Sequence, residues 1–337
     1  MKKYMHLVMF SIFTMILFTG CATKSSTSKT NEKVQVNQEK NSTNKVTEDK
    51  VSEEETTQGD IIIEHTQGTV TVPSNIEKAV VFDFGVLDMI DTLGIEVEIA
   101  APVANLPDYL SKYSEVTNAG GIKEPDLEAI FAFEPDVIFI GVRQQDYYEQ
   151  LSEIAPTVYV QLNGDTYMED FKNNVGYVAQ IFNKQEEAKK HLESIDSRIE
   201  EVKEHTQNTQ DKALILLLND GSLSVYGLGS RFGIVHDVLG VKAADDNIQV
   251  SNHGQEVNYE YIAQTNPDIL FVIDRTAVVG GTTSVDSTLD NDLVNGTNAA
   301  KNGMIISLDP DSWYLSGGGL TSVLKMISEI ENAFIAE

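Results

Sequence analysis

The chain has 337 residues and a net charge of −28, because 52 acidic residues stand against 24 basic ones. This length is sufficient for two lobes or one large domain with a sizeable core, and such an acidic chain lacks the basic surface that nucleic-acid binding requires. The single cysteine, Cys21, excludes an intramolecular disulfide framework and a zinc site built on several thiolates.

Residues 1–21 have the pattern of an export signal. Two lysines precede an apolar run over residues 7–18, which is too short for a comfortable membrane span. Small residues then lead to Cys21, and this junction resembles a lipoprotein processing site. We therefore predict a signal peptide over residues 1–20 and lipidation of Cys21; the alternative is an uncleaved anchor with an incidental cysteine. Either way, the chain is expected outside the cytoplasm and held to a membrane.

The composition changes after the cysteine. Residues 22–60 contain no aromatic residue, no Leu and no Ile, so this segment cannot bury enough apolar surface to fold. We predict a lipidated N-terminus and disordered tether over residues 21–60. As a flexible chain it would reach about 35 Å, which is enough to hold a folded body clear of a bilayer.

Folding is predicted to begin at DIIIEHTQGTVTVP, where two β-rich runs flank a turn and predict a hairpin. Strand-like and helix-like segments then alternate. The predicted strands are AVVFDF, EVEIAAP, DVIFIG and TVYVQL, and the predicted helices are GVLDMIDTLG and DLEAIFAFE. This alternation predicts an α/β lobe with a mostly parallel sheet over residues 61–182.

A long helix is predicted over residues 183–207. It follows MEDFKNNVGYVAQIF, whose apolar residues recur at a helical period. The segment KQEEAKKHLESIDSRIEEVKEHT has a narrow apolar stripe and is otherwise charged, which is typical of a mostly solvated helix joining two bodies. Arg198 lies in this segment, and we expect it on the solvated face, paired with Glu201.

A second α/β lobe is predicted over residues 208–337. ALILLLNDGSLSVYG predicts two strands around an Asn-Asp-Gly-Ser turn. FGIVHDVLG predicts a short helix closed by Gly240. Further along, NYEYIAQT predicts a helix, DILFVID and MIISLD predict strands, and GLTSVLKMISEIENAFI predicts the terminal helix.

An internal repeat relates the two predicted lobes. DLEAIFAFEPDVIFIGVR (126–143) aligns without gaps with NYEYIAQTNPDILFVIDR (258–275) at an offset of 132. The aligned residues are Glu128 with Glu260, Pro135-Asp136 with Pro267-Asp268, and Arg143 with Arg275. Each unit predicts a helix, a Pro-Asp turn, a buried strand and then an arginine. The repeat therefore predicts two similar lobes facing each other.

The arginines are the candidate binding residues. Only four occur in the chain, and Arg143 and Arg275 each follow a predicted parallel strand, where α/β sheets bind ligands. Arg231 lies among glycines before a predicted helix, a position that also favours anions. The glycine spacing is G-x-G-x-x-x-G, so no dinucleotide site is predicted. The alternative is structural ion pairing with aspartates near in sequence: Asp136, Asp146, Asp237 and Asp274.

Four motifs carry a resemblance to a known family. YGLGSRFGIVHDVLG, SNHGQ, NPDILFVIDR and DPDSWYLSGGG are similar to segments of catecholate-siderophore-binding lipoproteins, including those for petrobactin-type ligands. These are class III substrate-binding proteins of ABC importers, and the resemblance covers residues 61–337. It implies a class III periplasmic-binding-protein-like fold, with two α/β lobes joined by one long helix. It also implies a monomeric binding protein that delivers a ferric siderophore to an ABC permease dimer, with no reaction and no intrinsic cofactor.

The resemblance also implies roles for individual residues. Arg143, Arg231 and Arg275 would cradle the ferric catecholate. His253 and Tyr314 match positions that bind Fe(III) directly when the siderophore is tetradentate, and the exposed acids Glu128 and Glu260 would meet the permease. Chemistry supports the arginines, because a ferric tris-catecholate is a trianion and guanidinium stays charged and offers a planar fork to oxygen pairs.

Several alternatives remain open at this point. The same fold could bind haem, cobalamin or a hydroxamate siderophore, although hydroxamate complexes are near neutral and do not require three arginines. His253 could be a solvated loop residue, and Tyr314 could be a packing residue. An exported hydrolase is a less favoured reading, because neither G-x-S-x-G nor H-E-x-x-H occurs. A metal-ion scavenger would need more histidine and carboxylate ligands. The Lys- and Asn-rich composition, together with the lipoprotein-type N-terminal segment, indicates a Gram-positive host.

Overall fold

Two β-sheets with surrounding helices organise residues 59–335, the part of the chain that the computed structural model describes. The predicted signal peptide, Cys21 and nearly all of the predicted tether lie outside these residues. The mixture of mostly parallel sheets and helices confirms the predicted α/β class. No helix in the described range is long and apolar enough to span a bilayer.

The first sheet has the strand order β5-β4-β3-β6-β7, and every neighbouring pair is parallel. An antiparallel hairpin of β1 and β2 precedes it, as the sequence predicts. The elements in chain order are β1 (Ile61–His65), β2 (Gly68–Val72), β3 (Lys78–Val81), α1 (Phe84–Thr92), β4 (Glu98–Ala101), β5 (Thr117–Asn118), α2 (Leu127–Phe133), β6 (Val137–Ile140), α3 (Tyr148–Ser152), β7 (Thr157–Tyr159), α4 (Tyr167–Ile181) and α5 (Gln185–Thr206). Short 3₁₀ segments span Asp108–Tyr113 and Val142–Tyr147.

The second sheet has the order β11-β9-β8-β12-β13, with β10 beside β8. Its pairs are parallel except for β8–β9 and β9–β11, which are antiparallel. The elements are β8 (Lys212–Asn219), β9 (Ser222–Tyr226), β10 (Lys242–Ala243), β11 (Gln255–Val257), α6 (Tyr259–Thr265), β12 (Ile269–Asp274), α7 (Arg275–Val279), α8 (Val285–Leu289), α9 (Asp292–Asn295), α10 (Asn298–Lys301), β13 (Ile305–Leu308) and α11 (Leu320–Ile335). Two π-helical segments span Ile234–Val238 and Asp311–Leu315.

The predicted turn between β8 and β9 is confirmed. Asp220 and Gly221 have φ values of 47° and 90°, and positive φ at both central residues is what a type I′ hairpin turn requires. The predicted helix in FGIVHDVLG is instead a π-helical segment, in which Leu239 N donates to the Ile234 carbonyl at 2.9 Å. Ile234 and Val235 are buried and Val238 is partly buried, so the sequence correctly predicted a helical turn here but not its wider π-helical form.

The internal repeat is present in three dimensions. Helices α2 and α6 have the same length, and each is followed by a residue in the left-handed region, Glu134 (φ 55°) and Asn266 (φ 45°). The aspartate of each Pro-Asp turn then bonds to the neighbouring strand. Asp136 Oδ2 accepts from the N–H of Lys78 at 2.9 Å, and Asp268 Oδ2 accepts from that of Lys212 at 3.1 Å. Both units therefore start their buried strand with the same hydrogen bond.

Helix α5 corresponds to the predicted long helix. The apolar stripe of this helix has five residues. Leu192 is partly buried. The other four are buried: Ala188, Ile195, Ile199 and Val202. The predicted pair of Arg198 with Glu201 is confirmed, but Arg198 is only partly exposed. Arg198 pairs with Glu201 at 2.7 Å and also with Glu331, a buried carboxylate of α11. Since α5 packs along α11, this arginine joins the two helices.

One apolar core runs from the first sheet to the second. It contains Val81 and Phe139 of the first sheet, Ile215 and Phe271 of the second, and Ile195 of α5. Smaller clusters cover the other face of each sheet. The burial of these apolar side chains is the main source of the folding stability of a chain of this length.

Candidate ligand-binding site

Three arginines converge on Tyr314. Arg143 Nη2 and Arg231 Nη2 both donate to the main-chain carbonyl of Tyr314, at 2.8 and 2.5 Å. Arg275 Nε donates to the Tyr314 hydroxyl at 2.7 Å. The guanidinium carbons of Arg143, Arg231 and Arg275 lie 5.7, 4.5 and 5.4 Å from the centre of the Tyr314 ring. Each distance is within cation–π range, so one aromatic ring organises all three positive charges.

The fold explains why these residues meet. Arg143 lies in the 3₁₀ segment that follows β6, and Arg275 is the first residue of α7, directly after β12. Arg231 follows β9, and Tyr314 lies in the π-helical segment after β13. Arg275 is further held by Asn219, at the end of β8, which accepts a hydrogen bond from Nη1. The segments that follow strands of both sheets thus bring the three arginines together around Tyr314, and the strand-end positions of Arg143 and Arg275 are those that the repeat predicts.

The nearby aspartates do not neutralise these arginines. In residues 59–335, no ion pair involves Arg143, Arg231 or Arg275. Three of the four candidate aspartates accept backbone N–H groups instead: Asp136 from Lys78, Asp237 from Gly229 at 2.7 Å, and Asp274 from Thr276 at 3.0 Å. Asp146 is exposed. Within this part of the chain, the alternative of structural ion pairing is therefore wrong.

Burial and mutual repulsion shape the ionisation of the cluster. Burial, followed by the positive charge of Arg143, lowers the pKa of Arg231 to about 10. Burial raises the pKa of Tyr314, but the hydrogen bond from Arg275 and the three positive charges outweigh it. The net effect is a lowered pKa for Tyr314. The cluster therefore favours negative charge at its centre.

The arginine cluster opens onto a cavity of about 910 Å³. Arg143, Arg231 and Tyr314 line this cavity, and His253 lines it from an exposed loop. Arg275 is not part of the lining and contacts the hydroxyl of Tyr314 instead. A volume of this size is within the range of small-molecule sites, which are often found between two structural units.

The predicted permease residues lie elsewhere on the surface. Glu128 and Glu260 are exposed in the first turns of α2 and α6, at equivalent positions of the repeat. Within residues 59–335, no three His, Cys, Asp or Glu side chains group together in a way that could hold a metal ion.

Sequence reasoning missed Asp83. Its carboxylate caps α1 by accepting from the N–H groups of Gly85 (2.9 Å) and Val86 (3.1 Å), and it also lines the cavity. Burial raises the pKa of Asp83, while the positive charge of Arg143 acts in the opposite direction. The available signal was its position at the end of AVVFDF, the same strand-end position that identified the arginines.

The cavity mouth also has exposed apolar side chains. Val142 is 63% exposed, Val250 is 62% exposed and Leu162 is 37% exposed, and all three line the cavity. Val142 and Leu162 follow strands of the first sheet, whereas Val250 precedes β11 of the second. The cavity is therefore lined by both positively charged and apolar side chains. This combination suits an anionic ligand that also has apolar groups.

A mostly parallel pair of sheets with a ligand-sized, arginine-lined cavity defines a small-molecule-binding protein of the α/β class. A family model for periplasmic binding proteins matches residues 80–312. The chain belongs to the periplasmic binding protein family.

Individual relatives narrow the comparison. The chain is 40% identical to the petrobactin-binding protein YclQ of Bacillus subtilis over 337 residues, covering 98% of this chain and 99% of that protein. The crystal structure of YclQ matches with a TM-score of 0.81 at 43% identity, over 83% of this chain and all (100%) of that one. The ferric-anguibactin-binding protein FatB of Vibrio anguillarum is 37% identical over 80% of this chain and 86% of its own length. The catecholate-siderophore-binding protein VctP of Vibrio cholerae matches with a TM-score of 0.76 at 33% identity, over 80% and 99% of the two chains.

Proposed function

We propose that this protein captures a ferric catecholate siderophore in the cavity beside Tyr314 and delivers it to an ABC permease for iron uptake. The observation that carries the proposal is the cluster of Arg143, Arg231 and Arg275 around one tyrosine, without carboxylate partners among the described residues. A ferric tris-catecholate is a trianion, so three guanidinium groups that form no ion pair among the described residues match its charge.

The donor groups of the arginines support an oxygen-rich ligand. A guanidinium carries five N–H donors in a planar fork. Tyr314 uses one donor of Arg143 and one of Arg231, so further donors remain for the cavity. Catecholate oxygens are anionic and paired, which is the geometry that a planar fork binds well. The relatives named for petrobactin, ferric anguibactin and catecholate siderophores support the same ligand class.

Tyr314 and His253 are the proposed iron ligands when the siderophore is tetradentate. Fe(III) then has two vacant coordination positions, and a phenolate and an imidazole are suitable donors. The lowered pKa of Tyr314 supports this role, because it reduces the cost of forming the phenolate. The exposed loop of His253 lies at the cavity, which supports contact with a bound complex. The iron enters and leaves as cargo of the siderophore, so the protein needs no cofactor of its own and catalyses no reaction.

The remaining expectations complete this proposal. Residues 61–182 and 208–337 act as two lobes, and residues 183–207 form the helix that joins them. The protein is exported by residues 1–20, lipidated at Cys21 and held as a monomer on the outer face of the cell membrane of a Gram-positive host. Glu128 and Glu260 meet the permease dimer, and their equivalent exposed positions in the repeat support this pairing with a twofold partner.

Fluorescence titration tests the proposed ligand class. Trp313 is the only tryptophan, is buried beside Tyr314 and lines the cavity, so a coloured ligand there should quench it. We expect saturable quenching by ferric tris- and bis-catecholates and much weaker binding of a ferric hydroxamate, haem or cobalamin. Preferential binding of a hydroxamate, haem or cobalamin would replace the catecholate proposal with that cargo. Turnover of an ester or phosphate substrate would contradict a pure binding role.

A further inference from the structure

Asp88 is a buried carboxylate on α1, with 1% of its surface exposed. Each of its oxygens accepts a backbone N–H from the first turn of α11: Thr321 N lies 3.0 Å from Oδ1, and Ser322 N lies 2.8 Å from Oδ2. The hydroxyls of Thr92 (2.9 Å) and Tyr109 (3.2 Å) also reach it. Burial, followed by the negative charge of Asp88, raises the pKa of Tyr109, so this hydroxyl remains a donor. The N-terminal end of α11 is electropositive and stabilises the carboxylate.

The same network holds the segment that follows Tyr314. The Tyr109 hydroxyl shares its single proton between Asp88 Oδ2 (3.2 Å) and Ser316 Oγ (2.7 Å) as a bifurcated donor, and Ser316 Oγ donates to the Asp311 carbonyl at 2.8 Å. Ser322 Oγ donates to the Ser316 carbonyl at 2.6 Å. Asp311 and Ser316 flank the π-helical turn that contains Tyr314. Both ends of this turn are therefore bonded to a network centred on Asp88.

Two glycines let this segment lie directly against the first half of the chain. A Cβ on Gly319 would lie 2.0 Å from Asp88 Oδ2, and a Cβ on Gly318 would lie 2.6 Å from Leu162 Cδ1. In the structure, these two admit protein side chains. The close approach of Gly319 is what brings α11 and its N–H groups onto Asp88.

The position of Asp88 connects the two sheets at the cavity. Helix α1 follows β3 of the first sheet, and its first residues lie at the cavity with Asp83. Tyr314 follows β13 of the second sheet. We propose that Asp88, acting through Tyr109 and Ser316, is a positioning residue that holds Tyr314 in register with the arginines for the ligand. This inference rests on the proposed function of Tyr314.

The most informative variant is Tyr109→Phe, because it removes one hydroxyl from the network and leaves the bonds between Asp88 and α11 in place. The matched control is Tyr177→Phe, which removes a hydrogen bond to the Glu64 carbonyl on β1. Thermal unfolding and far-ultraviolet circular dichroism should show that both variants fold. Binding of a tetradentate and a hexadentate ferric catecholate is then measured for each by quenching of Trp313, together with visible spectra.

A positioning role has a distinct signature. For Tyr109→Phe we expect a loss of about five- to tenfold in affinity for the tetradentate complex, together with a changed visible band, since Tyr314 must reach its iron. Affinity for the hexadentate complex should change by less than about threefold, because no protein ligand to iron is needed. Tyr177→Phe should match the wild type. Equal losses for both complexes, or no loss, would overturn the proposal.

A ligand-free measurement separates this inference from the proposed function. Trp313 is 2% exposed and adjoins Tyr314, so acrylamide quenching reports how tightly the turn is held. Tyr109→Phe should increase this quenching, and Tyr177→Phe should not. No increase would overturn the positioning role whatever the ligand. Wild-type protein that binds no ferric catecholate would instead overturn the proposed function. Asp88→Asn, which must place an NH₂ group against a backbone N–H, should increase the quenching further if it folds.

Discussion

Arg231→Gln tests whether the positive charge around Tyr314 is arranged for an anionic guest. Burial and the charge of Arg143 lower the pKa of Arg231 well below its ordinary value, to about 10. At about 1.4 kcal/mol per pKa unit, the shift corresponds to ~3 kcal/mol that disfavours the charged guanidinium in the ligand-free protein. Arg231 is partly exposed, so solvent screening reduces this figure to roughly 1–2 kcal/mol. The penalty is present at neutral pH and disappears only as the pH rises above 10.

Arg231→Gln should therefore change the free energy of unfolding and the affinity for the ligand in opposite directions. Glutamine can still donate to the Tyr314 carbonyl but carries no charge, so the ligand-free variant should gain up to about 1–2 kcal/mol in free energy of unfolding. A hydrogen bond to a charged group contributes roughly 1.5–3 kcal/mol, so affinity for a trianionic ferric catecholate should fall by about 10- to 100-fold. The expected result is a variant that is at least as stable as the wild type and binds more weakly.

Urea unfolding and Trp313 quenching measure the two quantities on the same samples. Arg231→Lys is the matched control, because it keeps the charge and loses only the planar fork, so its affinity should lie between those of the wild type and Arg231→Gln. A destabilised Arg231→Gln with unchanged affinity would show that Arg231 supports the fold and not the ligand, and would refute the reasoning.

Three further substitutions probe other parts of the account. Tyr314→Phe should alter the visible charge-transfer band of a bound tetradentate ferric catecholate and not that of a hexadentate one; identical spectra would leave Tyr314 as a packing residue. Asp83→Asn should bind the anionic complex about 5- to 30-fold more tightly at a pH at which Asp83 is ionised, because a negative charge then leaves the cavity while asparagine still caps α1. Since burial raises the pKa of Asp83, this carboxyl lowers the free energy of unfolding as the pH rises from its ordinary pKa to the raised one, and this pH-dependent loss should vanish in the variant; unchanged affinity and pH profile would contradict this. Arg198→Ala leaves the buried Glu331 without its cation and should lower the free energy of unfolding by about 1–3 kcal/mol in urea titration, against less than about 0.5 kcal/mol for Lys189→Ala in an exposed pair. Equal effects would show that the Glu331 contact contributes nothing.

Local patterns in the sequence were sufficient for most of the fold. The strands DVIFIG and DILFVID, their preceding helices and the 132-residue repeat all follow from periodicity and turn residues over a few positions. The repeat also predicted that Arg143 and Arg275 emerge at equivalent strand ends. The repeat could not predict that the arginines converge on a single ring, because Tyr314 lies in a π-helical segment far along the chain.

What could not be predicted depends on contacts between distant residues. Asp88 looks like an ordinary acidic residue of a short helix, and its role comes from α11, more than two hundred positions away. From its own helix, Arg198 is expected on a solvated face. Its pair with Glu331 forms only because α11 packs beside α5 in the folded protein. The π-helical turn around Tyr314 likewise depends on its packing and hydrogen bonds, and not on a local periodicity.

The central claim is that the positive charge of the three arginines makes the cavity prefer a highly anionic ligand. Hexadentate tris-catecholate complexes of Fe(III) and Ti(IV) have nearly the same shape, but the first is a trianion and the second a dianion. Their affinities, measured by Trp313 quenching at one ionic strength, isolate the electrostatic contribution of Arg143, Arg231 and Arg275. We expect the Fe(III) complex to bind at least about tenfold more tightly, with the difference shrinking as salt is raised. Equal affinities at all salt concentrations would contradict the account.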